Sequence, residues 1–420
     1  MIATLYAAAA GLATPGLRLL LARRLRRGRE IAARLAERRG LADTPRPQGP
    51  LLWLHAASVG ESVSVLPLLA ELHQAAPPLA VLFTTGTVTS AALLAQRAQH
   101  GGMVHQFVPL DVPRWARRFL DHWRPDLAVF VESEIWPNLL AAARCRGIPT
   151  VLLNARLSAQ SHARWRRLPG FARALFGGFA LVLAQSEGDA ARLRALGAGV
   201  VEVPGNLKFA AAPLPAAADQ VAALRAGIGP RPVWLAASTH PGEDAAVRAV
   251  HLALVAHHPA LLTVVVPRHP ERGAAVAAAM GGLAVTRRAL RQGPPAAAGV
   301  WVADTLGELG LFYASIGVVF VGGSLVAHGG QNVLEPARLG CAVAVGRWTA
   351  NFAEPVAALR AAGGLVEVAD AAALAAWVDA ILRDPAQRAA MGSAAQAVAT
   401  RDADLPRRIA ARLLAMLPAA

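Results

Sequence analysis

The stretch 318–336, VVFVGGSLVAHGGQNVLEP, has the composition of an anion site. An apolar run ends at Gly322 and Gly323, a second pair follows at Gly329 and Gly330, and a helix-starting segment opens at Gln331. Glycines without a Cβ let main-chain N–H groups approach a ligand, and a helix start adds partial positive charge. The spacing fits neither G-x-G-x-x-G nor the P-loop, so neither a dinucleotide nor an NTPase reading is favoured. The plain alternative is a tight strand-to-helix turn with no ligand.

Other ionisable and polar residues gather just past other apolar runs: His55, Ser58 and Glu61; Glu132, Glu134 and Asn138; Asn154 and Arg156; Asn206 and Lys208; Thr239 and His240; Arg268, His269 and Glu271; Asp304, Thr305 and Glu308. Ligands of open parallel sheets sit beyond the carboxyl ends of strands, and packing alone does not explain such a gathering. Of 42 cationic side chains, 41 are Arg and Lys208 is the single Lys. Either a compact ammonium is needed at that strand end in place of a planar fork, or one Lys persists by chance. Thr305-x-x-Glu308 and Asn332-x-x-Glu335 read equally as capping boxes. His55, beside Trp53, reads equally as a hydrogen-bonded core histidine. Asp402-Ala-Asp404 has the form of an Asp-x-Asp metal motif, but it lies in a helical terminal region far from the glycine stretch, and no metal site is expected.

The elements that must position these residues are legible as an alternation. Short apolar runs at 51–56, 79–84, 127–131, 150–153, 181–184 and 200–203 are separated by helix-length segments, the pattern of a parallel sheet with crossover helices. A Pro- and Ala-rich connector covers 210–218, and the alternation restarts at 232–237, 261–267, 299–303, 316–321 and 342–345. The expected architecture is α/β: two Rossmann-like units with parallel sheets facing a central cleft. Its boundaries are 1–40 for a basic N-terminal segment, 41–210 for a first unit, and 211–420 for a second unit with closing C-terminal helices.

Length and composition fit a folded chain of two or three domains: 420 residues, 55 % of them hydrophobic. Cys145 and Cys341 lie far apart, which speaks against a disulfide framework or a zinc site and fits a reducing compartment. The net charge of +15 is unevenly spread. Residues 1–41 hold nine Arg and two Glu, and seven Arg with no acid lie between Glu134 and Glu187. Only 5 % of the chain is aromatic, which leaves few side chains on which bases could stack, so nucleic acid is not the expected partner. The apolar run 1–17 has no basic segment before it, as a cleaved signal peptide would, and is short for a span of about 20 residues. Followed by Arg23 to Arg39, it reads as a monotopic anchor on the anionic inner leaflet, with an ordinary packed helix as the alternative.

Taken together, HAASVGE, ESEIWPN, NARLS, GNLKF, STHPGE, VPRHPER, DTLGEL and GGSLVAHGGQNVLEPA, in this order over residues 55–337, resemble the 3-deoxy-D-manno-octulosonic acid (Kdo) transferases of lipopolysaccharide synthesis. The resemblance implies a GT-B fold and inverting transfer of Kdo from a CMP-Kdo donor to a hydroxyl of a lipid A precursor. No cofactor or metal is expected, and the place of work is the cytoplasmic face of the bacterial inner membrane. It implies Glu61 as base, with Glu132 and Lys208 stabilising the transition state. It also implies donor-binding segments at Pro267 and Arg268, at Leu306, Gly307 and Glu308, and at Gly323, Ser324, Asn332, Val333, Leu334 and Glu335. Two positions depart from the family pattern: Gln331 stands where His is frequent, and Ala210 where Asp follows the Lys-Phe pair. Another GT-B transferase or epimerase, or a basic membrane-surface protein without activity, are the competing readings.

Overall fold

In the computed structural model, which describes residues 2–97 and 103–418, the chain forms two compact units. The first comprises Met1–Ala211 with Asp402–Ala420, and the second Ala212–Arg401.

The first unit is a parallel sheet of seven strands: β1 (Leu51–Ala56), β2 (Ala80–Thr85), β3 (Met103–Phe107), β4 (Leu127–Val131), β5 (Thr150–Ala155), β6 (Leu181–Ala184) and β7 (Val201–Glu202), in the order β3-β2-β1-β4-β5-β6-β7. Trp53, Phe119 and Phe130 pack together in the core on one face, and Leu54, Val65 and Val129 belong to the core on the other. Helices cover both faces, so β1 and β4 are buried along their whole length, and His55 is the one residue of the two strands that is not apolar. The strand order reverses between β1 and β4, which opens a crevice beyond their carboxyl ends.

The second unit repeats the plan with β8 (Val233–Thr239), β9 (Leu262–Pro267), β10 (Val285–Arg287), β11 (Gly299–Val302), β12 (Val318–Val321), β13 (Ala342–Gly346) and β14 (Leu365–Val368), in the order β10-β11-β9-β8-β12-β13-β14. Its reversal falls between β8 and β12, so the glycine stretch leaves the sheet at the switch point.

Two sequence expectations are corrected. The last helix, Leu405–Leu414, was expected in the second unit, but it buries Leu405, Ile409 and Leu413 in the first, in one core with Val65, Leu68 and Leu72. Its Arg412 pairs with Glu202 at 2.9 Å.

The segment 1–40 is likewise no separate basic arm. Glu30, 6 % exposed, receives Arg24 at 2.7 Å and Arg38 at 3.0 Å. Arg38 also donates to the main-chain oxygens of Gly86 and Val108 past the ends of β2 and β3. Arg34 pairs with Glu37, whose other bond is to the Phe107 N–H. Gly40 ends this segment at φ +74, where a Cβ would stand 2.2 Å from the Trp115 carbonyl oxygen. A buried guanidinium needs such partners, and these arginines face the protein. Arg23, Arg26, Arg27 and Arg29 are exposed.

The helix Ile2–Leu12 buries no residue, and Leu5 and Leu12 are 61 % and 83 % exposed. It is tied to the unit by Tyr6, whose hydroxyl donates to Asp111 at 3.0 Å. Among the described residues no single helix is long and apolar enough to cross a membrane; Ile2–Leu12 and Thr14–Arg26 reach that length only as a pair bent by 57°.

Candidate active site

At the first switch point the loop after β1 turns directly into the helix Val59–Ala75. Ser58 caps it, accepting the Glu61 N–H, while the Ser58 hydroxyl donates to Glu61 Oε1 at 2.8 Å and the Ala57 N–H donates to Oε2 at 2.8 Å. This reciprocal arrangement fixes the carboxylate on the first helical turn. Burial pushes the Glu61 carboxyl up; the bonds from Ser58 and Ala57 oppose the rise, and the charges of Glu134 and Glu132 add to it, leaving the group raised. Each oxygen of an ionised carboxylate has two lone pairs, so Glu61 keeps capacity for a hydroxyl proton.

The loop after β4 supplies the facing groups. Glu132 holds a left-handed backbone at φ +57, rare for a residue with a side chain. Its Oε1 lies 2.7 Å from the Lys208 ammonium. Glu134 accepts from the Trp136 indole at 2.8 Å and meets His55 Nε2 at 3.3 Å. Burial works to raise the Glu134 carboxyl, but the hydrogen bond and charge of His55, with the Trp136 indole, outweigh it and hold the group low. His55 is fully buried and its Nδ1 is 3.0 Å from the Thr84 hydroxyl, so it supports Glu134 from inside the sheet.

Lys208 sits on a short 3-10 turn, Leu207–Ala210, set by three buried amide side chains. Asn154, at φ +51, accepts the Leu207 N–H at 3.0 Å. Asn206 accepts the Lys208 N–H at 3.0 Å and donates to Gln185, which in turn donates to the Asn154 carbonyl. Asp402 accepts the Asn206 N–H at 3.3 Å, so this member of the Asp-x-Asp pair ties the C-terminal segment to the lysine turn. Asn154 and Asn206 are among the polar residues that the sequence places past strand ends, whereas nothing in the local sequence of Gln185 marks its long-range contact.

The second switch point is more basic. His240, 5 % exposed, stacks on His328 with ring centroids 3.8 Å apart and lies 2.9 Å from the Gln331 amide. Burial, then the charges of His328, His269, Arg268 and Arg272, bring His240 down to about 4, so it is neutral near pH 7. Pro267 is buried at the end of β9, and the exposed Arg268 anchors its N–H on the Thr239 carbonyl at 3.0 Å. His240 stands among the polar residues that the sequence places past strand ends, whereas its pairing with His328, seven residues beyond β12 and 88 residues away in the chain, has no local signal.

The glycine loop is an anion site, and its anion is the protein's own. The buried Glu243 carboxylate accepts the N–H groups of Gly323, Ser324 and Leu325 at 2.8–3.1 Å, so these amides are not open to a ligand. Ser324 is fully buried, its hydroxyl donating to the Val321 carbonyl and accepting the Gly346 N–H. Its side chain holds β12 to β13, contrary to a direct donor contact.

The remaining positions divide. Leu306 is 83 % exposed and Gly307 takes φ +81. Neither capping box forms in the expected way. Thr305 donates to the Glu308 carboxylate, which also takes a two-pronged bond from Arg288, and no side chain caps the helix Leu309–Ile316. The Arg288 bonds outweigh burial and hold the Glu308 carboxyl low. A hollow of about 660 Å³ opens beside this pair, with Trp301 and Leu311 among its walls. Asn332 accepts the Leu334 N–H and donates to Glu335. Val333 and Leu334 have buried side chains and offer a ligand only main-chain groups. Among the described residues no group of three His, Cys, Asp or Glu could hold a metal ion.

Two Rossmann-like units, each with polar residues at its switch point, are the architecture of GT-B sugar-nucleotide enzymes. The crystal structure of UDP-GlcNAc 2-epimerase from Neisseria meningitidis bound to UDP-GlcNAc shares this fold, with a TM-score of 0.57 over 87 % of this chain and 100 % of that one, at 14 % identity. Residues 33–211 match the family model described as 3-deoxy-D-manno-octulosonic-acid transferase (kdotransferase). The 3-deoxy-D-manno-octulosonic acid transferase of Haemophilus influenzae is 38 % identical over 371 residues, 86 % of each chain. That of Bordetella pertussis is 38 % identical over 375 residues, 87 % of each. The chain belongs to the Kdo transferase family of glycosyltransferases.

Proposed function

We propose that the chain moves Kdo from CMP-Kdo to a hydroxyl of a lipid A precursor with inversion at the anomeric carbon. The observation that carries this is the Glu61 carboxylate, held by two hydrogen bonds and raised in proton affinity beside the Glu132–Lys208 pair. Glu61 takes the proton of the acceptor hydroxyl as its oxygen bonds to the anomeric carbon from the face opposite the leaving group. The bond from that carbon to the phosphate oxygen breaks, and its electron pair leaves on CMP. Lys208, oriented by Glu132, answers the negative charge of the Kdo carboxylate or of the departing phosphate. Arg268 and the uncapped helix start after Glu308 receive the nucleotide phosphate, and Glu335 accepts from ribose hydroxyls. The test is incubation with CMP-Kdo and a defined lipid A precursor, read by mass spectrometry. Products heavier by whole Kdo units support the reading; transfer from a UDP-sugar instead, or no lipid product, overturns it.

The acceptor carries acyl chains, and we propose that the enzyme meets it as a monotopic protein at the cytoplasmic face of the inner membrane. The exposed Leu5, Leu12 and Leu19 provide apolar area, with exposed Arg23, Arg26 and Arg27 beside it. The ring of Tyr6 in the first helix packs against that of Phe171, with centroids 6.4 Å apart. That contact brings the helix beside the acid-free interval, where Arg156, Arg164, Arg166 and Arg167 are exposed and suited to phosphates.

A further inference from the structure

Glu243 is fully buried, and its two oxygens accept four main-chain N–H groups: Oε2 those of His240 at 2.9 Å and Gly323 at 2.8 Å, Oε1 those of Ser324 at 3.1 Å and Leu325 at 3.0 Å. Converging amides of this kind form a nest that ordinarily receives a ligand anion. Here a side chain from the loop after β8 fills a nest on the loop after β12, across the switch point. The fit leaves no space: a Cβ on Gly322 would stand 2.8 Å from Glu243 Oε2 and 2.7 Å from the Ser238 carbonyl oxygen. Gly323, at φ +68, would bring a Cβ within 3.1 Å of the His240 ring. Ser238 itself is held at φ +54, a conformation that persists only where its surroundings over-determine it.

We infer that Glu243 is a positioning residue of the donor half, the resident anion that fixes the glycine loop and the His240 backbone in the arrangement the nucleotide requires. This rests on the donor reading and adds to it. A donor phosphate is excluded from the amides of residues 323–325, and the glycine stretch serves the nucleotide by its shape, set by an internal carboxylate hydrogen-bonded to amide dipoles. A carboxylate is needed because all four partners are donors. Glutamine would turn its own NH₂ toward two of them, and alanine would leave an anion-sized void lined by four N–H groups.

The full chain in detergent is titrated with CMP by calorimetry, and donor and acceptor KM are measured separately, for wild type, Glu243→Gln and Glu243→Ala. Both variants are expected to bind CMP at least about tenfold more weakly and to raise the donor KM with the acceptor KM unchanged. Sodium formate, which carries the missing carboxylate, is expected to restore CMP binding to Glu243→Ala and not to Glu243→Gln, whose side chain still occupies the void. CMP affinity of Glu243→Gln within about twofold of wild type overturns the inference. So does an equal rise in both KM values, and so does a pair of variants that fail to fold even in formate, since Glu243 is then a strut of the fold only. Wild-type protein that binds no CMP sinks the donor reading itself.

Discussion

The Lys208 ammonium stands 2.7 Å from Glu132 Oε1, and both residues are delivered by backbone that resists displacement. Glu132 leaves β4 in a left-handed conformation, and the Lys208 turn hangs on Asn154 and Asn206. A guanidinium cannot replace the ammonium at that distance without moving its planar head past Glu132 or turning it aside. Lys208→Arg is therefore expected to lower kcat by at least about tenfold, though arginine serves at every other cationic position. Unchanged kinetics would show the single lysine to be an accident of composition.

The strands legible in the sequence are those buried on both faces, with one exception, the edge strand β7 within the run 200–203. Every interior strand was read from its apolar run, whereas β3, β10 and β14 were missed, and all three lie at sheet edges. An edge strand has one neighbour and open flanks, so His105, Arg287 and Glu367 are tolerated there and break the apolar run. The site divides on similar lines. Glu61, Glu132 and Lys208 follow strands, so position marks them among the polar residues at strand ends, while their roles come from the family resemblance. Glu243 is not so marked, because the anion expected at the glycine stretch comes from 80 residues earlier in the chain, and no local spacing reveals which carboxylate will reach it. Ser324, which the resemblance assigned to the donor, follows two glycines in sequence, but its hydroxyl bonds across to Gly346.

Glu61→Gln is expected to retain the fold, since the amide oxygen still accepts the Ala57 N–H and the NH₂ can donate to Ser58. Turnover should fall by about a hundredfold or more, the scale of lost general base catalysis. Because burial raises the folded-state carboxyl, the base ionises at higher pH than an ordinary glutamate, and the acid limb of kcat/KM should be displaced upward in wild type. A profile whose acid limb is the same in Glu61→Gln would remove Glu61 as the titrating base.

His105 gives a pH prediction for stability. Its Nδ1 lies 2.9 Å from an Arg34 nitrogen that can only donate, so the ring accepts there and its Nε2–H faces the Thr85 hydroxyl at 2.9 Å. Burial, then the charges of Arg34 and Arg38, bring its pKa down to about 3. The unfolded chain binds this proton near 6.5, so the stability gained from a neutral His105 is complete above that pH and is lost as pH falls from there toward 3. His240, lowered to about 4, acts with the same sign. Melting temperature should decline from pH 7 to 4, and the His105 ring should show no NMR titration above about pH 4. A midpoint near 6.5 would contradict the half-buried Arg34 contact.

The membrane proposal is tested by where the chain is cut. A truncation beginning near Gly40 removes Glu30, Glu37 and Arg38 together, and so strips the Gly86 and Val108 carbonyls and the Phe107 N–H of their side-chain partners past the ends of β2 and β3. It would confuse loss of an anchor with loss of the fold. A chain beginning at Thr14 instead deletes only the helix with no buried residue and the Tyr6–Asp111 bond, while Leu21, Arg24, Glu30 and Arg38 remain. Attraction by charge weakens with salt and apolar insertion does not. On anionic vesicles the shortened chain is expected to bind at low salt through Arg23, Arg26 and Arg27 and to be released at high salt, with donor hydrolysis in detergent intact. The full chain should stay bound at both. Full-length protein that remains free of anionic vesicles at low salt would show that the helix Ile2–Leu12 belongs to the body of the protein and anchors nothing.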